Sequence, residues 1–385
     1  FIVEVQMKLE IDKDSLLQGV GRTQGVIDRR SHTPILSHCL LEATTERLKI
    51  SATDYEISFR GFYPAEVAEE GGMTVPAINF FSILKELPSG KISLETSANN
   101  SLQVLIGGMR YQFMGLPPEN FPPLPSLQDE RLQPVKSPVL KEMLEKTVFS
   151  VSLDELQPQL TGVYMEKLPG TGKLRLVSSD GHRLSLIDRE MEAVQHFDLE
   201  NGIILPRKGM VEMLRLLEGE DCALGLAGKN LVLQQGQDYL FIRLLDKKFP
   251  DYRRILPDGT CVQIVLARQP FLEILKRMSL LSSERFKGVV LTVNEGWLDC
   301  RYHNPDIGGG EERLPLNLKF LAEPDEDAGL TLPFEVSYNA RYLMEPLSVM
   351  QSEEVRLELA AKRKPLYLRE TKDADYLSIV MPMDL

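Results

Sequence analysis

The sequence contains three copies of one pattern, in which a strand runs through a proline or serine into a helix and a second strand follows the helix. The copies are TVPAINFFSILKELPSGKISLE, ILPRKGMVEMLRLLEGEDCALGL and FEVSYNARYLMEPLSVMQSEEVRLEL. Their marker residues Pro76, Pro206 and Ser337 are 130 and 131 residues apart. This period is longer than that of solenoid repeats, so it predicts three repeated domains rather than an array of small units.

A further helix is predicted at the start of each repeat, in DKDSLLQGVGRTQGVI, KSPVLKEMLEKTVFSV and ARQPFLEILKRMSLLS. Pro138 and Pro270 lie where the first turn of a helix tolerates proline. Pro346, inside the helix of the third copy, is expected to kink or shorten it. In the second copy, Val211, Leu214 and Leu217 are predicted on the apolar face of the helix. Runs such as LRLVSSDGHRLSLI and WLDCRYHN alternate apolar and polar residues, as strands do. The pattern therefore predicts an α+β fold, with two helices packed on β-sheets in each repeat.

Proline-rich connectors separate the repeats. Residues 117–138 contain seven prolines and little periodicity, and FPDYRRILPDGT, from Phe249, forms a second connector. The predicted domains cover residues 7–126, 134–255 and 260–385. Residues 1–6 precede Met7, and no role is assigned to them.

The charge and the cysteines exclude several classes of protein. The chain has 44 Lys and Arg against 56 Asp and Glu, a net charge of −12. This argues against a free-standing nucleic-acid binder, although it says nothing about local basic patches. The four cysteines lie far apart without C-x-x-C spacing, as expected in a reducing cytoplasm. No apolar run has the length of a membrane span, and no signal peptide is recognisable. These features predict a soluble, cytoplasmic protein.

The segment SSDGHRL, from Ser178 to Leu184, resembles a catalytic motif because it holds serine, aspartate and histidine within seven residues. A Ser-His-Asp triad, however, needs side chains that converge from separate elements. The five histidines lack metal-binding spacing, and LPGTGKL lacks residues that a phosphate-binding loop requires. We therefore predict no catalytic residue, no metal and no cofactor. An enzyme that uses residues 178–184 remains the alternative from another class.

The repeats, together with SDGHRL, LPRKG, KFPDYRRILP and the final MPMDL, resemble the bacterial DNA polymerase III beta subunit family, the replicative sliding clamps. HTPIL, FSVSLDELQPQLTGVYME and SSERFKGV add to the resemblance, which extends over residues 7–385 in order. It implies a DNA-clamp fold and a head-to-tail homodimer that closes into a ring of six domains around double-stranded DNA, without sequence specificity. It also implies a non-catalytic processivity subunit, at the bacterial nucleoid during replication. The implied partners are the polymerase III alpha subunit, the clamp loader, and other polymerases and repair proteins that carry short peptide motifs; no membrane is involved.

The resemblance implies a pocket between the second and third domains for a peptide with Gln followed by Leu and Phe-like residues. By motif, the pocket residues are Leu160, Ser179, Gly181, His182, Arg183, Leu184, Pro250, Ile255, Tyr338, Ile379, Met381, Pro382, Met383 and Leu385. Proline, methionine and aliphatic surfaces suit apolar anchors. SSDGHRL then forms a wall of this pocket. Asp384 stands where the family often has a basic residue, which would alter the preference for acidic peptide flanks.

The resemblance also implies DNA contacts and a dimer interface. The DNA contacts are Arg30, Arg207, Lys208, Arg215, Arg285 and Lys287; each alone could equally be a solvated surface charge. The interface residues are Arg110, Tyr111 and Phe113 on one face and Leu280, Leu281, Asp306, Glu311 and Glu312 on the other. Tyr111 and Phe113 could instead be ordinary inward-facing strand residues. Ile78, Asn79 and Gln157 stand where relatives commonly have basic residues, so DNA contact in the first domain is expected to be thinner. Because Asp384, Ile78 and Asn79 depart from the family pattern, a specialised clamp paralogue with altered partner preference is an alternative.

Overall fold

The computed structural model describes residues 7–97, 99–126, 132–197, 199, 201–281, 283, 287–322 and 328–383. The chain divides into two compact units. Unit 1 comprises Phe1–Leu140, His196–Asp198 and Lys208–Leu244, and unit 2 comprises Lys141–Gln195, Leu199–Arg207 and Leu245–Leu385. Each unit therefore combines residues of two successive sequence repeats.

Unit 1 contains two antiparallel sheets. The first has the order β5 (Glu66–Glu69), β1 (Lys8–Asp12), β7 (Lys91–Ser97), β8 (Ser101–Ile106) and β9 (Met109–Met114). The second has the order β10 (Gln133–Lys136), β15 (Asp221–Ala227), β16 (Asn230–Gln235), β17 (Asp238–Arg243), β4 (Ile57–Pro64), β3 (Arg47–Thr53), β2 (His38–Thr44) and β6 (Gly71–Pro76). In the second sheet, β17 of the central repeat pairs with β4 of the first, from Asp238 opposite Gly61 to Ile242 opposite Ile57. One continuous sheet thus joins the two repeats.

The helices of the first two repeats follow the apolar pattern of the sequence. They are α1 (Lys13–Thr23), α2 (Ala77–Glu86), α3 (Ser137–Glu145) and α4 (Arg207–Leu216). The Asp12 side chain caps α1 by accepting hydrogen bonds from two backbone N–H groups of its first turn. In α4 the fully buried residues are Met210 and Met213, whereas Val211 and Leu214 are only half buried. Leu217 is buried as predicted, directly after α4 ends, but within α4 the apolar face is rotated by about one residue.

Unit 2 is built in the same way. Its larger sheet has the order β14 (Ile203–Pro206), β11 (Gly162–Lys167), β12 (Lys173–Ser179), β13 (Arg183–Glu190), β26 (Tyr376–Val380), β25 (Leu366–Glu370), β24 (Glu354–Leu359), β18 (Val262–Ala267) and β22 (Asn317–Phe320). Its smaller sheet has the order β21 (Gly308–Pro315), β20 (Trp297–Asn304), β19 (Gly288–Val293) and β23 (Phe334–Asn339). The helices of the third repeat are α5 (Arg268–Ser279) and α6 (Ala340–Val349). Here β13 of the central repeat pairs with β26 of the third, so a sheet again crosses the repeat boundary.

The three predicted strand–helix–strand copies are confirmed as β6–α2–β7, β14–α4–β15 and β23–α6–β24. The predicted shortening by Pro346 is wrong, because α6 has ten residues, as many as α2 and α4. Pro346 lies inside the helix and is buried. Burial of its ring offsets the N–H···O bond that proline cannot make.

Candidate functional site

The SSDGHRL segment forms a tight hairpin between β12 and β13. Gly181 has a φ of +88°, which favours glycine, and it lies exposed beside His182. Asp180 Oδ1 accepts hydrogen bonds from the backbone N–H groups of His182 at 3.0 Å and Arg183 at 3.1 Å. The Ser179 hydroxyl donates to the carbonyl of Arg183 at 2.7 Å. The serine and aspartate thus serve the turn itself, and nothing in this geometry favours the hydrolase alternative.

Arg183 fastens this hairpin to the rest of unit 2. Its guanidinium is buried, with Nε 3.0 Å from Asp180 and Nη2 donating to the carbonyl of Phe149 at 2.6 Å. Nη1 forms an ion pair with Glu345 on α6, and the guanidinium stacks 4.4 Å from the ring centre of Tyr342. Arg183 therefore joins the hairpin of the central repeat to a helix of the third.

Three predicted pocket residues, Leu160, Leu184 and Ile379, belong to one buried apolar cluster beside the hairpin. The cluster consists of Leu160, Val177, Leu184, Leu186, Ile204, Phe249, Tyr252, Tyr367, Leu377 and Ile379. The ring of Tyr164 packs against it, stacked on Phe249 at 5.1 Å. These three predicted residues thus lie in one buried cluster of aliphatic and aromatic side chains.

Exposed apolar residues are found in the segments that flank this cluster. Ile255 and Met381 are 37% and 38% exposed, and Pro250 is exposed as well. The C-terminal segment is fixed at two points, because Met381 N–H donates to His182 O at 2.9 Å and Met383 N–H to Ser337 O at 2.8 Å. Pro382 and Met383 are half buried. Leu385 and Asp384 lie outside the described residues.

Tyr338 does not share this exposure. It lies in β23 with none of its surface exposed, and its buried hydroxyl has no hydrogen-bond partner among the described residues. Burial raises the pKa of this phenol. The rings near the Arg183 guanidinium are those of Tyr342 at 4.4 Å and Phe149 at 5.7 Å. Tyr342, four positions after Tyr338 in the chain, was not among the residues chosen by motif.

A hydrogen-bonded network holds the FPDYRRI segment in place. Tyr252 donates to Glu166 and accepts from Arg175 Nη1 at 3.1 Å, while Arg253 Nη2 pairs with Glu166 at 2.6 Å. Arg175 in turn makes a two-point contact with Asp188, with both distances 2.6 Å. Burial raises the pKa of Tyr252 to about 12; the hydrogen bond from Arg175 opposes this shift, and the one to Glu166 adds to it. Pro250 and Ile255, at the ends of this segment, are thereby positioned by groups that are themselves fixed.

The predicted DNA contacts differ in their surroundings. The side chains of Arg30, Arg207 and Lys287 are exposed and make no hydrogen bond or ion pair within the described ranges. Lys208 and Arg215 are paired with the acidic residues Asp54 and Glu212. Arg285 lies outside the described residues. Arg29, beside Arg30, is a further exposed cation that the motif comparison did not select.

The predicted interface residues of the first repeat lie on β9, which forms one edge of its five-stranded sheet. Arg110 is exposed and Tyr111 half buried. Phe113 is buried and its ring lies 5.2 Å from that of Phe80, so it serves the core of unit 1.

The predicted interface residues of the third repeat lie on and near β21, an edge of its four-stranded sheet. Leu280 is 82% exposed and Leu281 half buried. Asp306 and Glu311 are exposed, and Glu312 pairs with Arg277 at 2.5 Å. Each face thus combines an open strand edge with apolar and charged side chains.

The described residues contain neither a membrane-spanning helix nor a metal-binding cluster. None of their helices has the length and apolar character that a membrane span requires. No three His, Cys, Asp or Glu side chains in the same residues are arranged to hold a metal ion.

Comparisons with known proteins agree over the whole chain. Three family profiles of the DNA polymerase III beta subunit match: the N-terminal domain at residues 7–125, the central domain at 134–251 and the C-terminal domain at 253–384. The beta sliding clamp of Pseudomonas putida is 31% identical over 382 residues, which is 98% of this chain and 100% of the relative. The beta sliding clamp of Caulobacter vibrioides is 31% identical over 385 residues, with the same two coverages.

Solved structures give the same result. The sliding clamp of Bartonella birtlesii bound to griselimycin has a TM-score of 0.89 at 29% identity and covers 99% of this chain and 100% of its own. The DNA polymerase III beta subunit of Pseudomonas aeruginosa has a TM-score of 0.87 at 29% identity, with 98% and 100% covered. The family and the clamp fold inferred from the motifs are thereby confirmed: the chain belongs to the beta sliding clamp family, that of the DNA polymerase III beta subunit.

Proposed function

We propose that this chain is the processivity clamp of a replicative DNA polymerase, which encircles duplex DNA and holds the polymerase through the pocket around SSDGHRL. The observation that carries the proposal is the pairing of a buried apolar cluster with exposed Ile255 and Met381 in the segments beside it. Such a surface accepts apolar anchors of a short peptide, and methionine adapts to several of them. We expect this pocket to take the polymerase alpha subunit, the clamp loader, and other polymerases and repair proteins in turn.

Sliding requires DNA contacts that do not depend on base sequence. Contacts from arginine and lysine to phosphate meet this requirement, since phosphates carry no direct sequence information. Arg30, Arg207 and Lys287 have exposed cationic groups available for such contacts. A small number of them fits an overall charge of −12, because a strongly basic surface would hold DNA too tightly to slide.

We propose further that two copies join head to tail, with the β9 face of each against the β21 face of the other. A heterologous contact closes into a ring when the rotation between subunits closes. Arg110 on one face and Glu311 on the other have complementary charge. In this assembly the chain contributes binding and no reaction chemistry, and it works in the cytoplasm at the nucleoid.

The test is fluorescence anisotropy of a labelled peptide of the Gln-Leu-x-Leu-Phe type. The intact protein should bind it with a micromolar Kd, about 8 kcal/mol of binding free energy. Removing Met381 to Leu385 should abolish binding. Because this deletion also removes the backbone bond from Met381 to His182, a point variant is needed: Ile255→Asp should weaken binding at least tenfold, since it places a charge at the apolar rim.

The matched control is Leu156→Asp, because Leu156 is another apolar side chain of unit 2 and is 90% exposed. It should leave peptide affinity unchanged. An intact dimer that binds no peptide would reject the proposed pocket. It would favour the specialised paralogue. Ile78 and Asn79 on α2 favour it too, because they are exposed and uncharged.

A further inference from the structure

The ammonium group of Lys208 bonds acceptors of the protein itself, although the side chain is 37% exposed. Its Nζ forms an ion pair with Asp54 and donates to the carbonyl of Val26 at 3.2 Å. The Asp54 side chain is 8% exposed, and its Oδ1 also accepts from Glu56 N–H at 2.9 Å and Ile57 N–H at 2.7 Å. Lys208 therefore connects α4, the β3–β4 hairpin and the segment that follows α1.

That segment, residues 24–33, is called the basic turn here because it carries Arg29 and Arg30. Its first part is bonded to the end of α1, since the N–H groups of Val26 and Ile27 both donate to Thr23 O at 3.0 Å and both side chains are buried. Further along, Asp28 N–H donates to Leu36 O at 3.0 Å, and Arg30 N–H donates to Asp28 Oδ1 at 2.9 Å. The side chains of Arg29 and Arg30 are exposed and have no partner in the described part of the chain. The position of these two cations therefore depends on residues 24–28 and on the groups of the protein that contact them.

Glu212, one helical turn after Lys208, provides a second contact from α4 to the basic turn. Its side chain is 7% exposed, and a Cβ added to Gly25 would overlap both of its carboxylate oxygens. Glycine at position 25 leaves room for the carboxylate in this orientation. Burial raises the pKa of Glu212, while Arg215, whose Nη1 lies 2.6 Å from Oε1, opposes that shift. Helix α4 thus contacts two successive residues of the basic turn, Gly25 and Val26.

Arg22 fixes the end of α1 in the same way. Its Nη1 donates to the carbonyl of Arg215 at 2.6 Å, and its Nη2 lies 2.8 Å from Glu218. The last turn of α1 is therefore tied to the C-terminal end of α4, where carbonyl groups favour a cation. These contacts fix the residue position from which the basic turn begins, at the end of α1.

We propose that Lys208 is a positioning residue for DNA binding: it holds the basic turn so that Arg29 and Arg30 reach the phosphates, and it does not contact phosphate itself. This inference rests on the proposed function. Asp54 and the Val26 carbonyl occupy two of the three ammonium donors of Lys208. A phosphate that displaced Asp54 would leave a buried carboxylate without its cation, which is costly. The exchange is unfavourable because a phosphate contact at the surface is screened by salt.

The two roles predict opposite results for Asp54→Asn. If Lys208 contacted phosphate, removing its acidic partner would free the ammonium group and tighten DNA binding. If Lys208 positions the basic turn, the same variant loosens the turn and weakens binding, although it makes the protein less negative. The measurement is anisotropy of a short labelled duplex with the intact clamp over a series of KCl concentrations. Tighter binding by Asp54→Asn would overturn the proposal.

Additivity gives a second test. Lys208→Met and the double variant Arg29→Gln/Arg30→Gln should each weaken DNA binding, and the double variant should lower the salt slope by about 1 for each phosphate that it no longer neutralises. The triple variant should bind no more weakly than the double. Arg207→Gln is the matched control, because Arg207 is the exposed neighbour on α4; its effect should add to that of the double variant. An additive effect of Lys208→Met would contradict positioning.

Hydrogen exchange separates this proposal from the proposed function. Lys208→Met should speed amide exchange of Asp28 and Arg30, and leave the thermal midpoint within a few degrees of the wild type. Unchanged exchange at these amides would overturn the positioning role, whatever the DNA result. A different outcome is that the wild-type protein binds no DNA at any salt concentration, while Lys208→Met still exchanges faster. That outcome would reject the DNA contact but support the role of Lys208 in holding the basic turn.

Discussion

At the scale of single residues, Arg183 contributes to the candidate pocket from inside the protein. Its three guanidinium nitrogens each have a separate partner, in Asp180, Glu345 and the Phe149 carbonyl. Lysine keeps the charge but has no planar fork, so it cannot reach all three. Arg183→Lys should therefore destabilise the protein by about 2–3 kcal/mol, as expected when a buried charged network is broken.

Urea unfolding and peptide anisotropy together check this prediction. Peptide affinity should fall as well, since the hairpin that carries Gly181 and His182 loses its anchor. Arg341→Lys is the control, because Arg341 bonds the other oxygen of Glu345 from an exposed position; it should change neither quantity appreciably. Equal effects of the two substitutions would show that the Arg183 contacts do not hold the hairpin.

The sequence motifs predicted that some of these residues lie close together, but not how their side chains are oriented. Motifs brought Leu160, Leu184 and Ile379 together, and the structure places all three in one cluster. Tyr338 and Tyr342 are separated by four residues, on either side of the point where β23 becomes α6. The strand period and the helix period direct these two rings differently. Because a sequence does not fix the junction to one residue, it could not tell which tyrosine faces Arg183.

At the scale of elements, a buried charge cluster joins the end of α3 to strands β25 and β26 within unit 2. Lys146 is 2% exposed, with its Nζ 2.6 Å from Glu370, 2.9 Å from Glu142 and 3.1 Å from Asp373. Lys146→Met removes the shared cation and leaves the buried Glu370 without its cationic partner, whereas Glu142 and Asp373 keep Arg189. We expect a loss of about 3–5 kcal/mol in the free energy of unfolding, measured by urea denaturation at neutral pH. Lys136→Met, at an exposed ion pair, should leave the urea midpoint unchanged, and a similar loss there would contradict the assignment.

The same cluster predicts a dependence of stability on pH. Burial alone would raise the pKa of Glu370, but hydrogen bonds from Lys146 and from the N–H groups of Ser352 and Gln351 lower it overall. The pKa of Asp373 is lowered in the same way by Arg189 and Lys146. Since both values lie below those of the unfolded chain, their stabilisation is present at neutral pH and is lost as pH falls below about 5.

The urea midpoint should therefore drop on acidification, and it should drop less steeply in Glu370→Gln, which has no carboxylate to protonate there. A variant that follows the wild-type curve throughout would contradict the role of Glu370.

Elements were predicted better than their pairing. Local periodicity predicted all three strand–helix–strand copies, because each depends on residues close in sequence. The pairs β17–β4 and β13–β26 join strands that are far apart in the chain. The local residue pattern does not determine which distant strand a given strand will pair with. The sheets shared between repeats could therefore not be predicted from the pattern.

At the scale of the whole molecule, the edge strands β9 and β21 predict a specific mode of assembly. If β9 of one copy meets β21 of another, then a charge introduced on either face should separate the dimer. We expect Leu280→Asp to sediment as a monomer, since Leu280 is 82% exposed and would become buried and apolar in the contact. Leu153→Asp, at an unrelated leucine that is 75% exposed, should remain a dimer.

Mixing two defective variants distinguishes head-to-tail contact from a face that pairs with itself. Tyr111→Asp damages the first-repeat face and Leu280→Asp the third-repeat face, so each variant alone lacks an intact interface. In a head-to-tail assembly, the mixture retains one undamaged pair: the first-repeat face of the Leu280 variant and the third-repeat face of the Tyr111 variant. Sedimentation velocity should then show a dimer in the mixture and monomers in each separate sample. An isologous contact pairs each face with its own copy, so mixed dimers would always contain a damaged side, and a mixture that stays monomeric would argue against head-to-tail closure.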